Sequence, residues 1–139
     1  MRSFARFTAA LTVTALVVPV GLSFPAQARS SSQERTMKML DTDNDGTIDL
    51  QEAQAAGEVT FDKLEKDKDG SLTAKELGGR ISKKDLKAAD GDSDSSLDKK
   101  EYGALIEQRF KAADPDGDGK LDAKELKKPA GRALMQLLK

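Results

Sequence analysis

Four segments of this 139-residue chain repeat one pattern of acidic residues and glycine. They begin at Asp41, Glu65, Asp90 and Asp114, which lie 24, 25 and 24 residues apart, and they read DTDNDGTIDLQE, EKDKDGSLTAKE, DGDSDSSLDKKE and DPDGDGKLDAKE. Every segment has acids at positions 1, 3, 5 and 12, and three of the four have glycine at position 6. One such segment can arise by chance in an acidic chain, but four in a regular repeat constrain the whole fold.

The spacing is typical of the EF-hand loop, which surrounds one calcium ion with oxygen atoms. Positions 1, 3, 5, 9 and 12 supply side-chain oxygens, position 7 supplies its carbonyl, and glycine at position 6 makes the sharp turn. We name the segments loop one (residues 41–52), loop two (65–76), loop three (90–101) and loop four (114–125). The predicted metal ligands are Asp41, Asp43, Asp45, Thr47, Asp49 and Glu52; Glu65, Asp67, Asp69, Ser71, Thr73 and Glu76; Asp90, Asp92, Asp94, Ser96, Asp98 and Glu101; and Asp114, Asp116, Asp118, Lys120 through its carbonyl, Asp122 and Glu125.

Loops one and four carry every expected residue, whereas loops two and three each depart at one position. Loop two opens with Glu65, whose extra methylene pushes the carboxylate outward, so we expect weaker binding there. Loop three has Ser95 in place of glycine, and a positive φ at a non-glycine residue costs roughly 1 kcal/mol or more. We expect the five carboxylates of loop three to outweigh that strain.

Position 8 holds a bulky apolar residue in all four loops, and it predicts β-bridges between paired loops. The four residues are Ile48, Leu72, Leu97 and Leu121. A solvated acidic linker would not keep this register together with the glycine and the final glutamate. Dockerin-type calcium repeats use similar loops to bind a partner protein, but glutamate at every position 12 and four repeats instead of two favour EF-hands.

The first 28 residues have the pattern of a secretory signal peptide. Arg2 and Arg6 form a basic start, residues 9–24 are mostly apolar, and Ala26-Gln27-Ala28 is a small-x-small cleavage site. The apolar run is broken by proline and glycine and is short for a membrane span. We therefore expect cleavage after Ala28, export to the periplasm or beyond, and a metal-binding domain of residues 29–139 that has no membrane anchor.

The composition limits the chemistry that is possible. The chain has no Cys and no His, which excludes disulfides, zinc sites of the Cys/His kind, thiol nucleophiles and imidazole bases. Nineteen of the 24 acids lie inside the loops, so the carboxylates are committed to ions and we expect no catalysis. The mature chain has a net charge of −3 and no basic patch, so nucleic acid is not an expected partner. The remaining ligands are hard oxygens.

Only 12 or 13 residues separate successive loops, so neighbouring hands must share helices. Lys99–Ala113 carries apolar residues at helical spacing and predicts one continuous helix between loops three and four. Gly57 predicts an interruption of Leu50–Leu64. Gly78 and Gly79 predict the end of the helix that leaves loop two, and Ser82 predicts a new cap for a short helix through Ala89.

The expected fold class is all-α, a compact helical bundle with short shared helices, and each end of the mature chain is expected to add one more helix. Pro129 predicts the start of a last helix, whose buried face would consist of Leu134, Leu137 and Leu138. Ser31 and Glu34 predict the cap of a first helix, which carries Met37 and Leu40.

The expected core is small. Leu, Ile, Val and Phe make up 19 of the 111 mature residues, a fraction typical of chains that fold poorly unaided. The loops also concentrate carboxylates that repel one another until a cation neutralises them. We therefore expect a loose or disordered metal-free protein, with metal binding driving its folding.

Further segments resemble the lanmodulin family, the periplasmic lanthanide-binding EF-hand proteins of methylotrophic bacteria. They are FDKL at 61–64, DKKEY at 98–102, RFKAA at 109–113 and PAG at 129–131, together with the signal peptide and the short separation of the loops. The resemblance covers nearly all of the mature chain. It implies a compact helical bundle, selective binding of trivalent lanthanides over calcium, and a conformational response to metal.

Positions 9 and 2 bear on that selectivity. Aspartate at position 9 gives loops one, three and four five carboxylates each, as in the family, whereas Thr73 leaves loop two with four. More anionic oxygens favour a trivalent ion of nearly calcium's size. The family tends to have proline at position 2, where this chain has only Pro115, with Thr42, Lys66 and Gly91 in the other loops.

Two other functions fit the same loops. A periplasmic calcium buffer or sensor differs from a lanthanide-binding protein by ion and not by fold. A protein-interaction module with structural calcium would use a surface that stays apolar after metal loading, although no partner can be identified. Met37, Met39 and Met135 are too few for a calmodulin-like groove. The shared helix requires no second chain, so we expect a monomer.

Overall fold

Helices form most of the regular structure in residues 32–139, the part of the chain that the computed structural model describes. The predicted signal peptide and the predicted capping residue Ser31 lie outside the described residues. The elements are α1 (Ser32–Leu40), β1 (Ile48–Asp49), α2 (Leu50–Leu64), β2 (Ser71–Thr73), α3 (Lys83–Ala89), β3 (Ser96–Asp98), α4 (Lys99–Ala113), β4 (Lys120–Leu121) and α5 (Pro129–Leu137). The predicted all-α EF-hand fold with small β-bridges is confirmed.

The four short strands join the loops in two pairs. Strand β1 pairs antiparallel with β4, and Ile48 faces Leu121 in that ladder. Strand β2 pairs antiparallel with β3, and Leu72 faces Leu97. All four of these position-8 side chains are 0% exposed, so the predicted bridges also contribute to the core. Loop one therefore pairs with loop four, the most distant loop in sequence, and loop two pairs with loop three.

Helix α4 has the predicted bounds, but the predicted interruption of α2 at Gly57 is wrong. Helix α2 runs unbroken from Leu50 to Leu64. A Cβ atom at Gly57 would lie 2.1 Å from Cδ1 of Ile106 in α4, so glycine lets the two helices approach closely. Glycine within a helix costs only about 1 kcal/mol relative to alanine. Packing against α4 offsets that cost.

Loops two and four are followed by turns, whereas loops one and three are followed by 15-residue helices. Residues 74–79 and 123–127 form these turns. The predicted helix leaving loop two is therefore only a turn. It ends at Gly78 and Gly79, as predicted, where φ is +56° and +80°. The predicted cap of α3 is confirmed, because the Ser82 hydroxyl accepts a hydrogen bond from the backbone N–H of Asp85 at 3.1 Å.

Helices α2, α4 and α5 pack around the largest part of the core. The rings of Phe61 and Tyr102 meet edge to face, with centroids 5.7 Å apart. The buried Tyr102 hydroxyl donates to the carbonyl of Leu137 at 2.6 Å, which ties α4 to the end of α5. Leu134, Leu137 and Leu138 are buried as predicted. No helix within residues 32–139 is long and apolar enough to cross a membrane.

Candidate metal centre

The aspartates at positions 1, 3 and 5 converge in three of the four loops. In each triplet one oxygen from every carboxylate lies within 4.8 Å of the other two. Oxygens that bind one calcium ion at 2.3–2.6 Å lie at most about 5 Å apart, so each triplet matches the spacing of one cation. The triplets are Asp41, Asp43 and Asp45 in loop one, Asp90, Asp92 and Asp94 in loop three, and Asp114, Asp116 and Asp118 in loop four.

The position-1 carboxylate holds the sharp turn of each loop. Oδ2 of Asp41 accepts a hydrogen bond from the backbone N–H of Gly46 at 3.0 Å, and loops three and four repeat this bond at 3.0 Å. The turn needs a positive φ at position 6, which is +84° at Gly46. Ser95 of loop three adopts the same conformation with φ of +72°. Loop three therefore keeps the shape of the other loops and carries the strain that the sequence predicted.

Loop two departs from the other three in its ligand geometry. Oε1 of Glu65 accepts from the N–H of Gly70 at 2.5 Å, so the turn is held as in the other loops. Within the described residues, however, loop two has no acidic triplet with converging oxygens. The longer glutamate side chain at position 1 accounts for this difference, because its second methylene changes where the carboxylate can lie while it holds the turn.

The position-12 glutamate joins the two ends of loops one, two and three. In loop one, Oε1 of Glu52 accepts from the N–H of Thr42 at 2.6 Å, and Oε2 accepts from the N–H of Asp49 at 3.1 Å. Glu101 makes the equivalent bonds in loop three, and Glu76 does so in loop two. In loop four, Oε2 of Glu125 accepts from the N–H of Asp122 at 3.1 Å.

These hydrogen bonds favour the charged glutamate. The backbone N–H of Thr73, followed by that of Lys66 and the Thr73 hydroxyl, lowers the pKa of Glu76. Burial raises the pKa of Glu52, but hydrogen bonds from Thr42 and Asp49 outweigh it, so the net shift is downward. Charged carboxylates with remaining lone pairs are the ligands that a hard cation requires.

The position-9 aspartates have a second role that the sequence reading did not assign. Asp49 accepts from the N–H of Glu52 at 2.8 Å and is the N-cap of α2. Asp98 caps α4 in the same way through Glu101 at 2.6 Å, and Asp122 accepts from the N–H of Glu125 at 2.8 Å. One oxygen of each aspartate therefore starts the following helix or turn. The second oxygen of each aspartate takes no part in these bonds.

The position-7 side chains also have contacts that the sequence reading missed, because only their carbonyls were considered. Thr47 donates from Oγ1 to Oδ1 of Asp45 at 2.5 Å, and the serines at position 7 of loops two and three make the same bond to their own position-5 aspartates. A hydroxyl residue two positions after an aspartate was the available signal. Loop four has Lys120 instead, and its ammonium pairs with Asp45 of loop one.

Comparison with known proteins agrees with this geometry. A family model described as EF hand matches residues 33–54 and 105–128, which contain loops one and four. Lanmodulin from Methylorubrum extorquens is 50% identical to this chain over 80 residues, which is 58% of this chain and 57% of that protein. The match thus spans little more than half of either chain. The resemblance predicted from the sequence motifs is confirmed.

Proposed function

We propose that this lanmodulin-like EF-hand protein is a periplasmic binder of hard cations, calcium and trivalent lanthanides, and that metal binding drives its folding. The observation that most strongly supports metal binding is that three aspartate oxygens lie within 4.8 Å of one another in each of loops one, three and four. One ion would bind in each of these loops through positions 1, 3, 5, 7 and 12, with position 9 contributing directly or through water. Loop two would bind a fourth ion more weakly.

The donor set supports hard cations of high charge. Every predicted side-chain ligand is a carboxylate or a hydroxyl, and the chain has no thiol or imidazole to attract softer metals. Lanthanide(III) ions have nearly the size of calcium and one more charge. Because the Coulomb attraction to fixed carboxylates grows with the charge of the ion, the five-carboxylate loops favour the trivalent ion.

Repulsion among carboxylates of loop three supports metal-driven folding. At Asp92 the hydrogen bond from the Asp94 N–H lowers the pKa, but burial and the negative charges of Asp94 and Glu101 outweigh it and raise the pKa. A bound cation would replace this repulsion by attraction. The position-8 residues of the same loops are buried in the core, so ordering a loop also places a core side chain.

A calcium buffer or sensor without lanthanide preference is the competing function. It is favoured by position 2 of loop one, where Thr42 replaces the family's usual proline. The N–H and the hydroxyl of Thr42 both donate to Oε1 of Glu52. The protein-interaction module with structural calcium stays a hypothesis. Binding of a hydrophobic dye to the metal-loaded protein would test it.

The proposal is tested by circular dichroism of residues 29–139, titrated with buffered free calcium and, separately, with buffered free lanthanum. We expect both ions to induce helix and lanthanum to act at concentrations several orders of magnitude lower. Similar midpoints would identify a calcium-binding protein and refute the lanthanide preference. No helix gain with either ion would refute metal-driven folding.

Two glutamine variants show whether the response comes from the loops. Glu101→Gln removes one negative oxygen from loop three and should shift the lanthanum midpoint upward. Glu107→Gln is the matched control, because it makes the same change in the same helix outside any loop. Equal shifts in both variants would indicate a general charge effect instead of coordination by loop three.

A further inference from the structure

Lys120 belongs to loop four by sequence, but its charged end lies in loop one. It is the only charged residue at position 7, where the other loops have Thr47, Ser71 and Ser96. Those hydroxyls each donate to the position-5 aspartate of their own loop. The Lys120 ammonium instead donates to Oδ2 of Asp45, 75 residues away in the chain.

The β1–β4 ladder fixes this crossing. Lys120 stands opposite Asp49 in the antiparallel register, so its side chain starts next to loop one. With Thr47 on Oδ1 and Lys120 on Oδ2, both oxygens of Asp45 carry a donor. The Lys120 side chain is 48% exposed and that of Asp45 is 31% exposed, so the ammonium can swing into water without unfolding the ladder.

The charges around the Lys120 ammonium include more of loop one than Asp45. The hydrogen bond from Lys120, followed by those from Thr47, lowers the pKa of Asp45 to about 2. Asp45, then Asp43 and Asp49, raise the pKa of Lys120. The ammonium thus interacts with three of the predicted ligands of loop one.

We propose that the Lys120 ammonium occupies loop one and competes there with metal ions. It weakens metal binding in loop one, and it weakens the binding of trivalent ions more than that of divalent ions. This inference rests on the proposed metal-binding function. An ion that uses Oδ2 of Asp45 must displace the ammonium. The displaced charge stays nearby, because the Lys120 backbone is held in the ladder.

The dependence on ion charge follows from Coulomb's law. Repulsion between a fixed ammonium and the ion is proportional to the charge of the ion, so the energy for a trivalent ion is about 1.5 times that for a divalent ion. Partly exposed charge pairs typically have small interaction energies, equivalent to a factor of roughly five or less. Removing the ammonium should therefore tighten calcium binding in loop one by up to about fivefold and lanthanum binding by up to about tenfold.

The test uses the mature chain, residues 29–139, titrated with calcium and with lanthanum in chelator-buffered solutions. Amide NMR signals report each loop separately, Gly46 for loop one and Gly119 for loop four. Lys120→Met and Lys120→Gln remove the charge, and Lys120→Arg keeps it. Lys84→Met, an exposed lysine on α3, is the control for the change in net charge. In the folded chain whose loop one is still empty, the ¹³Cγ shift of Asp45 reports whether the ammonium contact is lost.

We expect the two neutral variants to tighten binding at Gly46 more than at Gly119, and more for lanthanum than for calcium. The arginine variant and Lys84→Met should stay within about twofold of the unmodified chain. The inference is overturned if the chain binds both ions at Gly46 and the neutral variants leave that binding unchanged. A chain that binds neither ion at any loop would refute the proposed function itself.

Discussion

The strain at Ser95 gives a direct test of how the loop shape determines metal affinity. Ser95 adopts φ of +72°, the conformation that Gly46, Gly70 and Gly119 adopt in the other loops. In Ser95→Gly the backbone N–H that donates to Asp90 at 3.0 Å is retained, so in the folded chain the steric cost of the side chain is what changes. That cost is about 1–2 kcal/mol in the left-handed region. Glycine also makes the unfolded chain more flexible, which takes back about 0.4–1 kcal/mol.

At the midpoints of these ranges the net gain is about 0.8 kcal/mol, which corresponds to roughly fourfold tighter binding in loop three. Lanthanum titration followed by the amide signal of Ser96 measures this affinity, and the Gly46 signal serves as the internal reference. Gly46→Ser, the reciprocal change, should weaken loop one by a similar factor. If Ser95→Gly leaves loop three unchanged or weaker while Gly46→Ser weakens loop one, the strain does not limit binding and the reasoning is wrong.

Other predictions concern the helices. Gly103→Ala in α4 should raise the free energy of unfolding by up to about 1 kcal/mol, because nothing lies within 4 Å of the new Cβ. Gly57→Ala in α2 should lower the free energy of unfolding by about 1 kcal/mol, because the new Cβ would lie 2.1 Å from Ile106 and the cost of this overlap exceeds the gain in helix propensity. A variant that is more stable in urea unfolding would contradict this packing. Burial raises the pKa of Tyr102 to about 12. The folded chain prefers the neutral tyrosine, and this preference contributes fully to the free energy of unfolding below pH 10. The contribution is lost as the pH rises from about 10 to 12, and Tyr102→Phe should remove this pH dependence. At neutral pH this variant should cost about 1–2 kcal/mol by leaving the Leu137 carbonyl unpaired, as measured by thermal unfolding.

Local signals in the sequence were sufficient for most of the elements. The spacing of apolar residues fixed α4, and Ser82 and Pro129 marked the starts of α3 and α5 as predicted. Gly57 misled the prediction because helix propensity is a weak local preference, which contact with Ile106 overrides. The required information lies in a residue 49 positions away in the chain.

The partner of each loop could not be predicted from the repeats. All four loops offer one aliphatic residue at position 8, and nothing in that residue distinguishes one partner from another. The pairing depends on the path of α2 and α4, which is a property of the whole fold. For the same reason the contact between Lys120 and Asp45 is visible only in the structure. The convergence of the acidic triplets was predictable because each loop is a local unit, and loop two departs in geometry where its sequence departs.

The two loop pairs are connected in a way that favours one cooperative transition. Helix α2 leads from loop one to loop two, and α4 leads from loop three to loop four, so each helix joins one pair to the other. Both have 15 residues, about 22 Å, and they pack along each other through Phe61 and Tyr102. An ion that orders loop one begins α2 through Glu52, and α2 then needs α4 to bury its apolar face. Because each helix connects both pairs and the two helices bury each other's apolar faces, we expect metal to fold the chain in a single transition and not in two halves.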